Sequence, residues 1–248
     1  LLSLEYAILH DDGLTDYANS ISNIYNYEVN DNFKLETETY SKTYINNNYE
    51  GSTMTDKMTN FINDLINNNS TLKYLLILGD ENAFPPIYTS SDIPSDDFYT
   101  LENGVFNLPP QIAIGRIPSS IPDKINHFVE KLSNFLLNPT IGAWRNKALL
   151  IADDEYKNGV NQACEIKHTI NSDILYDILN PHMNVKTMYA IEYNAETTAN
   201  GLEHVELNSS IIDELNNGAA LINYIGHGDE ISLSAEKIIE IDNMAQIA

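Results

Sequence analysis

A single cysteine, Cys164, stands among 248 residues. One thiol excludes an intramolecular disulfide framework and a cysteine-based zinc site, and it leaves the redox compartment open. Positive charge is scarce as well: 13 Lys and Arg stand against 36 Asp and Glu, a formal net charge of −23. So negative a surface repels phosphate backbones and anionic lipid, which argues against nucleic acid and membrane headgroups as partners and favours cationic peptides and calcium. Solubility alone is an equally physical reason for the acidity. No apolar run reaches the roughly 18 residues that span a bilayer. The first residues also lack the basic start of a secretory signal, so a targeting segment is expected outside this sequence if the protein is exported.

What is present suffices for a sizeable core, since 43% of the residues are hydrophobic. That supports one large domain or two packed subdomains. Short apolar runs at Leu4–Leu9, Tyr74–Leu78, Gln111–Ile114, Lys147–Ala152, Val185–Ala190 and Ala219–Ile225 read as strands. Amphipathic stretches at Thr15–Asn26, Thr55–Ile66, Ile121–Leu137, Val160–Leu179 and Ser209–Leu215 alternate with them and read as crossover helices. The alternation predicts an α/β fold with mostly parallel strands. Pro139 and Gly142 mark the best place to divide the chain, into residues 1–140 and 141–248.

In open parallel sheets, ligands bind beyond the carboxyl ends of the strands. The residues just past the apolar runs are acidic: Asp11 and Asp12, Asp80 and Glu81, then Asp153, Asp154 and Glu155. His227 follows the last run between Gly226 and Gly228. The reading places this histidine and several carboxylates on one sheet edge, although helix capping also explains Asp11, Asp12 and part of the 153–155 cluster. Glycines on both sides of His227 leave its backbone open to close approach, and imidazole is the side chain suited to proton transfer near neutral pH.

In order along the chain, Leu76-Ile77-Leu78-Gly79-Asp80, Pro85-Pro86, Ser95-Asp96-Asp97-Phe98-Tyr99, Ile114-Gly115-Arg116-Ile117, Ala148-Leu149-Leu150-Ile151-Ala152 and Asn223-Tyr224-Ile225-Gly226-His227-Gly228 resemble the catalytic region of gingipain-type cysteine peptidases, family C25 of the caspase-like clan. The resemblance covers most of the chain and implies a caspase-like three-layer αβα fold in two packed subdomains. It implies that His227 is the general base and acid partner of a cysteine, and that the backbone N–H of Gly228 helps hold the oxyanion. By the same resemblance Glu155 orients the imidazole. Glu165, on the following helix, pairs with an arginine or lysine of the substrate, or is an exposed helix charge. Calcium sites belong to the family, and Asp96 stands where a carboxylate ligand is expected, with a structural hydrogen bond as the other reading. Glu165 and His168 also share the i, i+3 spacing of a metal-ligand pair.

The family's nucleophile follows the histidine at the end of the next strand, which the resemblance places beyond Ala248. Cys164 precedes His227 and reads as a small packing residue. Without a thiolate the chain alone is expected to be inactive. A longer polypeptide or a second chain or fragment would then supply the cysteine to a secreted or cell-surface endopeptidase acting on peptides or proteins. The alternatives are an inactive C25-like domain that binds peptides or calcium, and a transpeptidase of a secretion system.

Overall fold

The computed structural model describes residues 3–88, 93–101, 109–154, 156–157, 160–161, 166–199 and 201–247. Two compact units divide it, Leu1–Thr140 and Ile141–Ala248.

In the first unit, β1 (Tyr6–His10), β2 (Thr37–Ser41), β3 (Tyr74–Leu78) and β4 (Ala113–Ile117) form one parallel sheet in the order β2-β1-β3-β4. Tyr6 pairs with both Thr37 and Tyr74, and Tyr74 with Ala113. Alternate residues of the two inner strands feed opposite faces, as the two-residue period of a strand requires. Ala7, Leu9, Leu75 and Ile77 join Ile45 of α2 (Lys42–Asn48) and Met58, Phe61, Ile62 and Leu65 of α3 (Met54–Asn68). Ile8, Leu76 and Leu78 join Ala18 and Ile21 of α1 (Thr15–Asn23) and Ile125 of α4 (Pro122–Leu137). Helices on both faces are what continuous apolar strands of a parallel sheet demand. Thr53 and Asp56 close a capping box at the start of α3, and Pro122 opens α4 where its missing N–H costs no helical bond.

In the second unit, β5 (Lys147–Ala152) is central, with β6 (Asn184–Tyr189) and β7 (Leu221–Ile225) on either side, all parallel. Ile151 and Met188 pack on Leu207, Ile211 and Ile212 of α6 (Val205–Asn217). Leu150, Ala152 and Tyr189 pack on Leu175, Tyr176 and Leu179 of α5 (Lys167–Leu179). Glu214 of α6 accepts from Lys147 at 2.7 Å and Lys186 at 2.9 Å, tying the first strand residue to its neighbour strand. These two ammonium groups hold the Glu214 carboxyl below the usual carboxylate range.

Several sequence expectations change. The polar strand β2 and the short helix α2 had no apolar signature, because β2 lies at a sheet edge and its residues are only partly covered. The expected helix from Val160 is shorter: Tyr156–Lys157 pairs antiparallel with Val160–Asn161, and α5 begins at Lys167. Leu221 and Ile222 look like core in sequence yet are 39% and 47% exposed, because β7 lies at the edge of its sheet. The single acidic sheet edge becomes two. Asp11, Asp12, Asp80 and Glu81 follow strands of the first sheet, whereas Asp153, Asp154 and His227 follow strands of the second.

Candidate catalytic site

The site grows from the paired ends of β5 and β7. Ile225 sits opposite Ala152, and the Asp153 N–H donates to the Ile225 carbonyl at 3.0 Å, so the ladder continues one residue past the strands. The two chains then have to pass closely. A Cβ on Gly226 would stand 2.5 Å from the Asp153 Cβ, 2.6 Å from the Tyr224 Cζ, and closer still to the Tyr224 hydroxyl. Glycine is required there by space, since only its hydrogen fits between the two side chains. Among the described residues Gly228 has no such neighbour: a Cβ there would meet only the Ser232 carbonyl at 3.4 Å and a Leu233 methyl at 3.7 Å.

Beyond Gly226, His227 turns its ring back over Asp153. Asp153 Oδ2 lies 3.2 Å from His227 Nδ1 and accepts the His227 backbone N–H at the same distance. The other carboxylate oxygen, Oδ1, accepts the Asp154 N–H at 3.1 Å. The Asp153 side chain is 5% exposed and that of His227 is 48% exposed. A carboxylate is only an acceptor, so Nδ1 carries the proton and Nε2 keeps its lone pair. One buried anion thus fixes the tautomer of a half-exposed imidazole.

The His227 carbonyl is held from two sides, by the Tyr224 hydroxyl at 2.6 Å and the Ser234 N–H at 2.9 Å. Burial, with Asp153 and Glu236 nearby, pushes the Tyr224 phenol above its ordinary range, so the hydroxyl remains a donor. Gly228 pairs with Leu233, but the bonds of that pairing belong to its neighbours, Asp229 N–H to Ser232 and Ser234 N–H to His227. The Gly228 N–H is not used by the ladder.

Two further groups adjoin Asp153. His168, in the first turn of α5, meets the His227 ring edge to face, with centroids 4.9 Å apart and planes at 80°. Deeper in, Asp154 Oδ2 lies 3.4 Å from His204 Nε2, and Asp153, Asp154 and Glu236 offer carboxylate oxygens within 4.8 Å of one another. Burial first, then Asp154, pushes the Glu236 carboxyl up. Both triplets, Asp153-Asp154-Glu236 and Asp153-His168-His227, have the donor types of a metal site.

Of the residues expected from sequence, His227 and Gly228 lie here, while Glu155, Glu165 and Cys164 lie outside the described residues. Asp96 belongs to the first unit. Arg116 forks onto it, Nε to Oδ2 and Nη2 to Oδ1, each at 2.7 Å. Arg116 Nη1 also donates to the carbonyls of Gly79 and Asp80. A guanidinium therefore balances the charge that calcium would balance, and the arrangement does not fit Asp96 as a calcium ligand. Asp153 was legible only as one acid in a capping cluster; the signal that singles it out is the register of β5 against β7. The ring contact of His168 had no sequence signal.

The profile of peptidase family C25 matches residues 2–248. The chain belongs to peptidase family C25. This C25 chain is 20% identical to a chain in the complex of Porphyromonas gingivalis RgpB pro- and mature domains, with a TM-score of 0.71 over 98% of this chain and 52% of that one. The crystal structure of the Arg-specific cysteine proteinase gingipain R is likewise 20% identical, with a TM-score of 0.69 over 99% of this chain and 52% of that one. At that identity the likeness shows the fold, an α/β fold of the gingipain kind. An uncharacterized protein of Archaeoglobus fulgidus is 33% identical over 82 residues, 31% of this chain and 19% of that protein. The C25 chain spans about half of each of these two gingipain chains. Among its described residues no helix is long and apolar enough to cross a membrane.

Proposed function

We propose that this chain is the major part of the catalytic region of a C25 cysteine endopeptidase, working at a secreted or surface location on peptides or proteins. The observation that carries the reading is the Asp153 to His227 pair, a buried carboxylate on Nδ1 of a half-exposed ring. Nε2 takes the proton of a cysteine thiol supplied by sequence outside this chain, and the thiolate attacks the peptide carbonyl. The imidazolium, steadied by Asp153, returns the proton to the leaving amine. The Gly228 N–H, which the ladder leaves out, donates to the developing oxyanion. Glu155 and Glu165, both outside the described residues, keep the roles that the family resemblance implies, orienting the ring and drawing a substrate arginine or lysine.

The test uses the full-length protein with fluorogenic arginyl, lysyl and neutral peptides. His227→Ala should lower kcat about 10²- to 10⁴-fold, in the range of a lost general base. Glu165→Ala should weaken cleavage after basic residues selectively. Wild-type protein that binds peptide without cutting would instead establish an inactive binding domain. A joined product on adding an amine nucleophile would establish a transpeptidase.

A further inference from the structure

We propose that Asp153, His168 and His227 form an inhibitory site for a borderline transition-metal dication such as zinc, a regulation that rests on the catalytic role given to His227 above. Each residue offers one ligand atom, and the three atoms lie within 4.8 Å of one another. Two imidazoles and a carboxylate are a donor set that selects zinc or cobalt over calcium and magnesium.

Three observations support it independently of that count. Asp153 is buried, so it meets the metal as a desolvated anion. His168 Nδ1 is shielded from solvent and has no hydrogen-bond partner among the described residues, a polar atom whose need a metal or its water would satisfy. The His168 and His227 rings already touch, one from α5 and the other from the turn after β7, so two of the three ligands are together before any ion binds. Tetrahedral zinc sets its ligand atoms about 3.3 Å apart. The three donors, now within 4.8 Å of one another, close to that spacing when the ion binds. The fourth position, on the exposed side of His227, is left to water.

The chemical consequence follows from the count of lone pairs. A neutral imidazole has one, and a metal that takes it leaves only an N–H on the other nitrogen. Whichever nitrogen of His227 coordinates, the ring can no longer accept a proton. Metal binding therefore silences the base without touching the nucleophile, and the net charge of −23 raises the local concentration of dications.

The test measures metal directly on the 248-residue chain. Titration with Zn²⁺ by calorimetry should give one tight site, and Co²⁺ should give the visible absorption of a tetrahedral ion. Neither should be displaced by excess Ca²⁺ or Mg²⁺. His168→Ala should weaken Zn²⁺ binding about a hundredfold or more, since loss of even an outer partner costs a metal site 10- to 100-fold. His182→Ala, an exposed histidine of the same unit, should leave binding unchanged. Nitrogen-detected NMR of the unaltered chain supplies the same answer without a variant: Zn²⁺ should shift the ring nitrogens of His168 and His227, not those of His182. No tight site, binding that survives His168→Ala, or zinc shifts confined to other histidines would each overturn the proposal. None of these readouts needs peptidase activity, so failure of the metal site and failure of the peptidase reading are separate results.

Discussion

Replacing Gly226 by alanine puts one methyl group into the most crowded point between the strand ends. Carbon atoms in contact normally stand about 3.5–4.0 Å apart, but the new Cβ would be 2.5 Å from the Asp153 Cβ and 2.6 Å from the Tyr224 Cζ. Each neighbour must withdraw by about 1 Å. Asp153 is held by its backbone bond to Ile225 and by the donors on both oxygens. Tyr224 is held by its hydroxyl on the His227 carbonyl. Overpacking of this kind costs about 1–3 kcal/mol, and loss of the tyrosine hydrogen bond adds about 1 kcal/mol. The expected destabilisation is about 2–4 kcal/mol, or a Tm lowered by about 5–15 °C for a chain of this size. Urea unfolding followed by circular dichroism measures it. Tyr224→Phe removes the atom nearest the new methyl, so the double variant should lose about 1 kcal/mol less than the sum of the singles. Gly228→Ala, with ordinary contacts at 3.4 and 3.7 Å, should stay within about 0.5 kcal/mol of the parent. A Gly226→Ala chain as stable as the parent, or strict additivity with Tyr224→Phe, would refute the packing argument.

Two other expectations concern charge. Asp96→Ala strands the Arg116 guanidinium among the carbonyls of Gly79 and Asp80, and with side chains 18% and 13% exposed it should cost about 2–3 kcal/mol in urea unfolding, somewhat less than a fully buried pair. Calcium should not change that loss. Glu236 has a carboxyl pushed up by burial, so the folded state holds a proton more readily than the unfolded one, and its cost to stability grows as pH rises through the folded value. Glu236→Gln should therefore raise Tm at neutral pH, with the gain shrinking as pH falls toward 4; a constant gain across that range would contradict the cause given.

Strands β3 and β5 were legible to the residue because both are buried on two faces and read as short unbroken apolar runs between turn signals. β2 was not, because Thr37, Glu38 and Thr39 occupy a sheet edge and are held by register against β1, a tertiary fact without a local pattern. His227 was legible through its flanking glycines, though only Gly226 turns out to be needed by space. Asp153 and Asp154 look alike in sequence. They diverge because pairing of Ala152 with Ile225 carries Asp153 alone beneath the His227 ring, while Asp154 reaches His204. Carboxylates spread over two sheets cannot be told from carboxylates on one by reading strand ends in order. That distinction requires knowing which strands pair.

Asp153 has donors on both of its oxygens: the Asp154 N–H on one, and the backbone and ring of His227 on the other. Asparagine, nearest in shape, would have to aim an NH₂ at a donor on one side or the other, and glutamate would overshoot by a methylene. The position is thus closed to drift. Sequences descended from this one can change the wall of the site by small steps, but they can leave Asp153 only by giving up the orientation of His227 in the same step.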